Sequence, residues 1–484
     1  MQEEREFHAP PIKTSLPVML MFSGMALLYL FLMTLMKQPH RLALVACLAG
    51  LAVFISRPRI ETLLPGLPFA LGLGYYEIGM PPFQPTLATL AGMTLLLLWI
   101  LEKVVWNGSP VLPRGVGLRL ALAGLLFQTI SVFMSVHYHG QHVWNAIREG
   151  SGLFLFLPLA IILPERLTDE ADITRIIRAS VLALLVVGSV GVAQYFGTAS
   201  VSRLDMSIGY TYRLRVFSTL PAANVLAGYL EMLVPMSLAS LLCEKSRGWR
   251  VVSLTAFATG FLSVLFTFSR GGFFMTVAAN AAVLVYSFRR KPFVPLAAGV
   301  LFFYVMATNS DTFARQLSLV TEPRDVVTQP TLLHRALTYD SFWHVFSRHP
   351  WTGVGWGARE FFWGGTPIYT FWDVRHALST EDIQHFGGLN SVFFNQAVKG
   401  GIFAVIALAF VALALVRASY EALLRPVGVM PASIVAGLGA FAFHELVDNL
   451  VKWPQTNGVF WMQIGLLGAI SLCRKRGGTF CTFL

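Results

Sequence analysis

Long apolar runs alternate with short polar segments along most of the chain. Many of these runs approach 20 residues, the length at which an α-helix crosses the hydrocarbon core of a bilayer. The runs are continuously apolar, whereas the strands of membrane barrels alternate apolar and polar residues in shorter segments. The pattern therefore predicts an all-α integral membrane protein, a polytopic helical bundle of about 12–14 transmembrane helices.

The first span, at 17–36, has no small-residue cleavage site after it, which indicates an anchor rather than a signal peptide. We divide the chain into N-terminal transmembrane helices at 1–200 and a second region at 201–484. Merged or re-entrant segments would bring the number of spans down from fourteen to about twelve. The predicted spans lie at 17–36, 42–56, 60–80, 86–105, 117–136, 150–164, 176–196, 223–243, 251–269, 272–288, 293–307, 391–416, 431–447 and 457–473.

Composition and charge support a membrane protein and give it an orientation. Apolar residues make up 55% of the chain and charged residues 13%, too few charges to cover a soluble domain. The net charge of +11 could indicate nucleic-acid binding, but 21 of the 36 basic residues fall on one side of the predicted topology. Six more lie in one long loop, and nine on the other side. Because cytoplasmic loops carry the excess of Lys and Arg, both termini are predicted to be cytoplasmic.

The long loop at 308–390 faces outward in this topology. Loops of this length between packed helices usually carry function or structure of their own. Residues 331–348 predict a short amphipathic helix within it, ended by His349 and Pro350. The apolar face of this helix consists of Leu332, Ala336, Tyr339, Phe342, Trp343 and Phe346.

Three arginines, Arg215, Arg270 and Arg335, fall on the outward side beside or within this loop. Converging guanidinium groups bind phosphate or diphosphate by forked hydrogen bonds. The alternative is that each arginine only extends to the membrane interface. Five of the eleven histidines also lie in the long loop, where one could act as a general base.

Four segments of the second region carry a family resemblance. They are Arg215-Val216-Phe217-Ser218-Thr219-Leu220-Pro221-Ala222-Ala223-Asn224; Ser269-Arg270-Gly271-Gly272; Arg335 followed by His349-Pro350-Trp351-Thr352-Gly353-Val354-Gly355; and Leu389-Asn390-Ser391-Val392-Phe393-Phe394-Asn395-Gln396 with Gly400-Gly401. In this order they resemble the O-antigen ligase and polymerase superfamily of bacterial envelope glycosyltransferases. Ser218 stands where the family has glycine, and Ala223 where it has proline. Leu389 stands where the family has the histidine proposed as catalytic base.

The resemblance implies a glycosyltransferase of the bacterial inner membrane, in lipopolysaccharide or exopolysaccharide biosynthesis, with its long loop in the periplasm. The donor would be a polyprenyl-diphosphate-linked glycan such as an undecaprenyl diphosphate, and the acceptor a glycan or lipid A–core. Neither a cofactor nor a metal is implied, and nucleic acid is not a partner. The resemblance assigns the diphosphate to Arg215, Arg270 and Arg335, with Asn224 and Asn390 in support. Because leucine cannot take a proton, we predict the base nearby, at His385 first and then at Asp382 or Glu381.

Other functions remain open at this point. Ligase, polymerase and protein O-glycosylation activities share these motifs. A transporter or flippase of an anionic lipid-linked glycan would need internal repeats or charged residues near the midplane, and Glu231 is the clearest such residue. A non-catalytic member of a glycan assembly complex is favoured by Leu389.

Overall fold

The structure is a computed structural model. It describes residues 60–73, 86–106, 116–197, 215–289, 291, 293, 295–297, 299–300, 339, 342–343, 345–358, 362–363, 366–367, 389–423 and 428–475. The predicted spans at 17–36 and 42–56, and most of the span at 293–307, lie outside the described residues. The total number of spans therefore stays a prediction.

The described part of the chain is helical almost throughout. The first described helix contains a short 3₁₀ turn at Leu64–Gly66, and the second continues into a π-helical turn at Leu101–Trp106. The helices are α1 (Ile60–Gly72), α2 (Leu87–Ile100), α3 (Val116–His139), α4 (Val143–Gly150), α5 (Leu159–Arg166), α6 (Glu170–Tyr195), α7 (Ala223–Cys243), α8 (Arg247–Phe266), α9 (Arg270–Ser287), α10 (Val392–Leu423), α11 (Val429–His444) and α12 (Pro454–Lys475).

Among the described residues, six helices, α3, α6, α7, α8, α10 and α12, are long and apolar enough to cross a membrane. The predicted all-α polytopic membrane protein is therefore confirmed. Helix α7 is the central one: it packs against α8, α9 and α11, and 89% of its apolar window is buried. A largely apolar helix that is buried on most sides suits the interior of a membrane bundle.

The predicted span at 150–164 is wrong, because turns interrupt it between α4 and α5. Backbone groups freed inside a membrane bundle need partners. Here Asn457, fully buried on α12, donates to the carbonyls of Gly152 and Leu153 and accepts from the backbone N–H of Phe156. Hydropathy alone cannot separate such a buried turn from a helix, since both are apolar.

Helix α10 is also broken, at Gly401, which has φ 62° and ψ −157°. The segment 350–355 of the long loop fills the break. The N–H groups of Val354 and Gly355 donate to the carbonyls of residues 398 and 399 at 2.8 and 3.0 Å. In return, the N–H of Ile402 donates to the Pro350 carbonyl at 2.8 Å. The segment 350–355, which we call the loop anchor, is thereby fixed to the bundle.

Charged residues distinguish the two ends of the bundle. At one end, which we call the basic end, Arg166 contacts Glu61 and Glu102 at 3.2 and 2.7 Å, and Arg178 forms a two-bond ion pair with Glu244. The opposite end, which we call the site end, carries the first residues of α7, α9 and α10 and the last residue of α11. Arg215, Arg270 and His444 define the site end.

The described part of the long loop is helical where the amphipathic helix was predicted, but the predicted apolar face is covered only in part. Residues 345–348 are helical, and the helix ends before His349. Phe342 packs on Phe394 of α10, with ring centroids 4.9 Å apart, and Val345 is buried. Tyr339 and Trp343, predicted on the same apolar face, are exposed instead. Further along, Phe362–Trp363 (β1) pairs with Thr366–Pro367 (β2) in a two-residue antiparallel ladder.

Candidate functional site

Arg215 lies at the site end, where its guanidinium joins two segments that are far apart in the chain. Its Nε donates to the carbonyl of Thr267 at 2.9 Å, and an Nη donates to Asn224 Oδ1 at 2.6 Å. Thr267 belongs to the turn that leads into Arg270, the first residue of α9. The structure thus brings together two of the three predicted arginine segments, together with the predicted supporting residue Asn224.

Asp448 completes this chain of hydrogen bonds. Asn224 Nδ2 donates to Asp448 Oδ2 at 2.7 Å, while Asp448 Oδ1 accepts from the N–H of Asn449 at 2.8 Å. The carboxylate therefore fixes the amide orientation of Asn224, which in turn presents its oxygen to Arg215. Sequence reasoning missed Asp448. Its only signal is an acidic residue close after a span end on the outward side.

The two glycines after Arg270 let α9 approach its neighbours closely. A Cβ on Gly272 would lie 2.4 Å from the Cβ of Ala227 on α7, and a Cβ on Gly271 would lie 2.7 Å from His444 Nε2. Small residues at such contacts are typical of packed membrane helices. The Arg-Gly-Gly segment therefore places Arg270 directly beside the end of α11.

The side chains of Glu231 and His444 form a buried pair inside the bundle, next to Gly271. His444 Nδ1 is 3.0 Å from Glu231 Oε2 and 3.2 Å from Oε1. The side chain of Glu231 is 0% exposed and that of His444 is 3% exposed. Sequence analysis singled out Glu231 as a mid-span charge but did not find its partner, 213 positions away.

The segment that carries the family's histidine position is held against the loop after α11. Leu389, at that position, is buried with 1% exposure. The N–H of Val392 donates to the carbonyls of Glu445 and Asp448 at 3.0 and 3.1 Å. Asn390, predicted to support the site, lies between these anchored residues. The structure therefore places Asn390 at the site end, near Asp448.

Glu445, the first residue after α11, orders this loop. Its Oε1 accepts from the N–H groups of Leu450 and Val451, both at 2.9 Å. The Glu445 side chain is buried, and its Oε2 has no hydrogen-bond partner in the described structure. The two backbone bonds to Oε1 therefore hold the chain from 445 to 451 in a closed turn.

Three residues other than glycine have positive φ within the described ranges: Ser218 (54°), Phe268 (52°) and Ser391 (82°). Each belongs to, or directly precedes, one of the segments that carry the family resemblance. Strained backbone of this kind persists where the surrounding structure holds it, and it concentrates at functional sites. All three residues lie at the site end, which supports placing the site there.

Ser218 also explains one departure from the family pattern. A positive φ is the conformation in which glycine is preferred, and glycine is the family's residue at this position. Here the serine is held by three hydrogen bonds: its Oγ donates to the Val187 carbonyl at 2.6 Å, and its backbone N–H and C=O pair with the Gln194 amide. These bonds offset the backbone strain.

Ser218→Ala is expected to destabilise the protein by about 1–2 kcal/mol, because it removes the Oγ hydrogen bond and keeps the strain. Ser218→Gly removes the same bond but relieves the strain, so its stability should stay within about 1 kcal/mol of the wild type. Thermal unfolding in detergent measures both. Equal destabilisation by alanine and glycine would contradict this account of position 218.

The glycine-rich segment after His349 has a structural role at the break in α10. Gly353, Gly355 and Gly357 all have positive φ, and a Cβ on Gly353 would lie 2.3 Å from the Val398 carbonyl oxygen. The buried Trp356 between them donates from Nε1 to Ser131 Oγ at 2.9 Å. These glycines therefore serve backbone packing.

An ion pair closes the same region. Lys399, buried just before the break in α10, contacts Glu149 at 2.6 Å, and Glu149 also accepts from the N–H of Gly357. The ion pair of Lys399 and Glu149 links α4, the loop and α10, so it fixes the loop anchor from a second side.

Burial, with a smaller contribution from Arg348, lowers the pKa of the nearby His349.

The remaining predicted site residues, Arg335, His385, Asp382 and Glu381, lie outside the described residues. Their roles stay predictions. Within the described ranges, no group of three or more His, Cys, Asp or Glu side chains is arranged to hold a metal ion.

Comparison with known proteins bears on the same part of the chain. A sequence model of a family described as O-Antigen ligase matches residues 254–409. The matched region includes Arg270, the segment from His349 to Gly355, and the broken start of α10. The comparison with curated proteins found no match. The resemblance seen in the sequence is thereby confirmed for this part of the chain: residues 254–409 match the O-Antigen ligase family model, whereas the segment that begins at Arg215 lies outside the match.

Proposed function

We propose that the protein transfers a polyprenyl-diphosphate-linked glycan to an acceptor hydroxyl at the outer face of the bacterial inner membrane. The observation that carries this proposal is the convergence of two arginine segments at one end of the bundle. Arg215 contacts the turn that begins α9, and Arg270 is the first residue of that helix. The family match adds the reaction class, glycan transfer of the ligase or polymerase type.

For this reaction the protein needs mainly to supply positive charge and to position the donor and the acceptor. The acceptor oxygen attacks the anomeric carbon, the bond from that carbon to the diphosphate oxygen breaks, and the electron pair leaves with the lipid diphosphate. Guanidinium groups stabilise the departing charge by forked hydrogen bonds. The N-terminus of α9, beside Arg270, adds a favourable helix dipole. Arg335 is a third proposed diphosphate contact.

The charge distribution supports placing this site outside the cell. Successive connections between the helices fall alternately at the basic end and at the site end. The connections at the basic end carry the excess of Lys and Arg. By the positive-inside rule, the basic end and both termini face the cytoplasm, and the long loop faces the periplasm.

Reporter fusions test this topology. We expect fusions at Arg290 and Arg425 to report a cytoplasmic location, and fusions within 308–390 to report a periplasmic one, because basic loops are retained inside. Alkaline phosphatase and green fluorescent protein fusions give opposite readouts and check each other. A cytoplasmic long loop would overturn the proposed location of the site.

A reconstituted transfer assay tests the reaction itself. Purified protein in lipid nanodiscs, given a polyprenyl-diphosphate-linked glycan and its acceptor, should release the lipid diphosphate and form a glycan product. The envelope glycans of a deletion strain identify the acceptor class: unpolymerised single repeats indicate a polymerase, and long lipid-linked chains that never reach their acceptor indicate a ligase. Normal envelope glycans together with no transfer in vitro would overturn the proposal.

A non-catalytic role in a glycan assembly complex is the second candidate, and the buried Leu389 favours it. Such a protein would bind the lipid-linked donor through its arginines without turnover. Donor binding measured together with transfer separates the two functions. The transporter alternative rests on Glu231, which is paired with His444 inside the bundle.

A further inference from the structure

We propose that α4 is an interfacial helix, which binds the lipid surface at the site end with one side and supports the long loop with the opposite side. The partner is the phospholipid leaflet of the membrane in which the bundle lies. With eight residues, α4 is too short to cross that membrane. This inference does not rest on the proposed transfer reaction.

The position of α4 in the chain determines its depth in the membrane. Only residues 140–142 separate it from α3, a helix of 24 residues that is long and apolar enough to cross a membrane. At about 1.5 Å per residue, α3 is about 36 Å long, which exceeds the hydrocarbon core of about 30 Å. The last turn of α3 therefore reaches the interface between lipid and water at the site end, where a Cβ on Gly355 of the loop anchor would lie 3.2 Å from the His139 side chain. Helix α4 follows at this level.

An exposed apolar stripe on α3 leads toward α4. Leu126 and Phe133 are 61% and 64% exposed, whereas Ser131, on another side of α3, donates to the Gly400 carbonyl of α10 at 2.9 Å. Exposed apolar side chains on a spanning helix face lipid, because the bilayer core is itself apolar. The Phe133 ring stacks on His137, in the last turn of α3, with centroids 5.8 Å apart. The lipid-facing surface therefore continues to the level of α4.

The residues of α4 divide among three sides of the helix. Ala146 and Gly150 are buried against the protein, and Asn145 and Arg148 are exposed and polar. The third side is exposed but apolar, and its members share one face at helical spacing. They are Val143, Trp144 and Ile147. Tryptophan is enriched at membrane interfaces, and an amphipathic helix lies in the interface plane with its apolar side about 5–10 Å deep. The exposed apolar side of α4 therefore matches a lipid surface.

The side of α4 opposite this apolar side holds residues 356 and 357, which follow the loop anchor. Glu149 accepts from the N–H of Gly357 at 3.1 Å, and a Cβ on Gly357 would lie 3.0 Å from the Asn145 Cβ. A Cβ on Gly150 would lie 3.4 Å from Cγ of the buried Trp356. At about 100° per residue, Glu149 falls on the side of the helix that faces away from the apolar residues. Lipid and loop therefore contact opposite sides of α4, which sets the depth of the loop.

Photocrosslinking tests the lipid contact in the full chain, in nanodiscs of phosphatidylethanolamine and phosphatidylglycerol. The photoreactive residue p-benzoylphenylalanine replaces Ile147 on the apolar side, Asn145 as the matched control on the same helix, or Leu126 on α3 as the reference for full lipid contact. We expect the lipid adduct yield at 147 to be within about twofold of that at 126 and about tenfold above that at 145, because only the apolar side enters the acyl region. Mass spectrometry of the intact protein measures the adducts.

Two outcomes would overturn the lipid contact. The first is an equal yield of lipid adducts at positions 147 and 145. The second is a crosslink from position 147 to another copy of the chain in place of lipid, because the apolar side would then be a protein interface.

Hydrogen–deuterium exchange in the same nanodiscs tests the support of the loop. The double variant Trp144→Gln/Ile147→Gln removes the apolar side and leaves Glu149 in place. We expect the peptide that contains Gly357 to exchange about tenfold faster, because a helix that leaves the interface no longer holds its hydrogen bond from the loop. Arg148→Gln, on the exposed polar side, is the matched control and should leave this exchange unchanged. Wild-type exchange in the double variant would overturn the role of α4 as a support, and neither measurement depends on glycan transfer.

Discussion

Arg270→Lys is expected to lower glycan transfer by about 10²–10³-fold, the typical effect of removing one donor that stabilises developing negative charge. Lysine keeps the positive charge but loses the planar fork that binds two phosphate oxygens at once. Arg215→Lys should have a comparable effect for an additional reason. Its guanidinium holds both the Thr267 carbonyl and Asn224, and an ammonium group cannot match the geometry of these two bonds.

The matched control is Arg247→Lys. Arg247 is the first residue of α8, as Arg270 is the first residue of α9, but it is exposed and lies at the basic end. Its substitution should leave transfer unchanged. Release of lipid diphosphate by purified protein measures all three variants, with membrane insertion checked by fluorescence-detected chromatography. Normal turnover in both Arg215→Lys and Arg270→Lys would show that they are ordinary interface arginines.

The pattern of apolar positions predicts regular helices well. The span predicted at 223–243 coincides with α7, Ala223–Cys243, because Pro221 precedes the helix and the charged Glu244 follows it. The pattern fails where the chain leaves helical geometry while staying apolar. The turns at 151–158 are covered by Asn457, from a helix 300 positions later. Local sequence carries no sign of that partner, so the break could not be predicted.

The candidate site, too, could be predicted only in part. Arg215, Arg270, Asn224 and Asn390 were predicted, because they belong to short segments with a recognisable spacing. Asp448 and His444 were missed, because their significance lies in contacts with α7 made only in the folded bundle. Glu231 gave a usable signal: a carboxylate in mid-span requires a partner, and a histidine at another span end is a candidate for it.

The departure at Ser218 is resolved by backbone geometry, whereas the one at Leu389 is resolved only in part. Ser218 adopts the positive φ that the family's glycine would adopt, and its hydrogen bonds compensate for the strain. Leu389 is buried, so a histidine at this position would need a polar partner that leucine does not. Restoring the family residue by Leu389→His therefore carries a stability cost of its own.

Gly401→Ala should have the largest effect on stability, because two separate penalties coincide at this residue. With φ 62° and ψ −157°, Gly401 occupies a region that is essentially restricted to glycine. An added Cβ would also lie 2.4 Å from the Trp351 carbonyl oxygen, a backbone atom that cannot move without displacing the loop anchor. We expect a loss on the order of 3 kcal/mol or more, measured as a large fall in the thermal unfolding midpoint in detergent.

Gly140→Ala separates the two penalties. Gly140 has a similar φ of 60°, but a Cβ there meets nothing within 4 Å, so only the conformational cost of about 1 kcal/mol applies. Gly401→Ala should also reduce glycan transfer more than Gly140→Ala does. The break it alters holds the loop anchor through the bonds of Val354 and Gly355. Equal stability losses in the two variants would show that the loop does not depend on the break in α10.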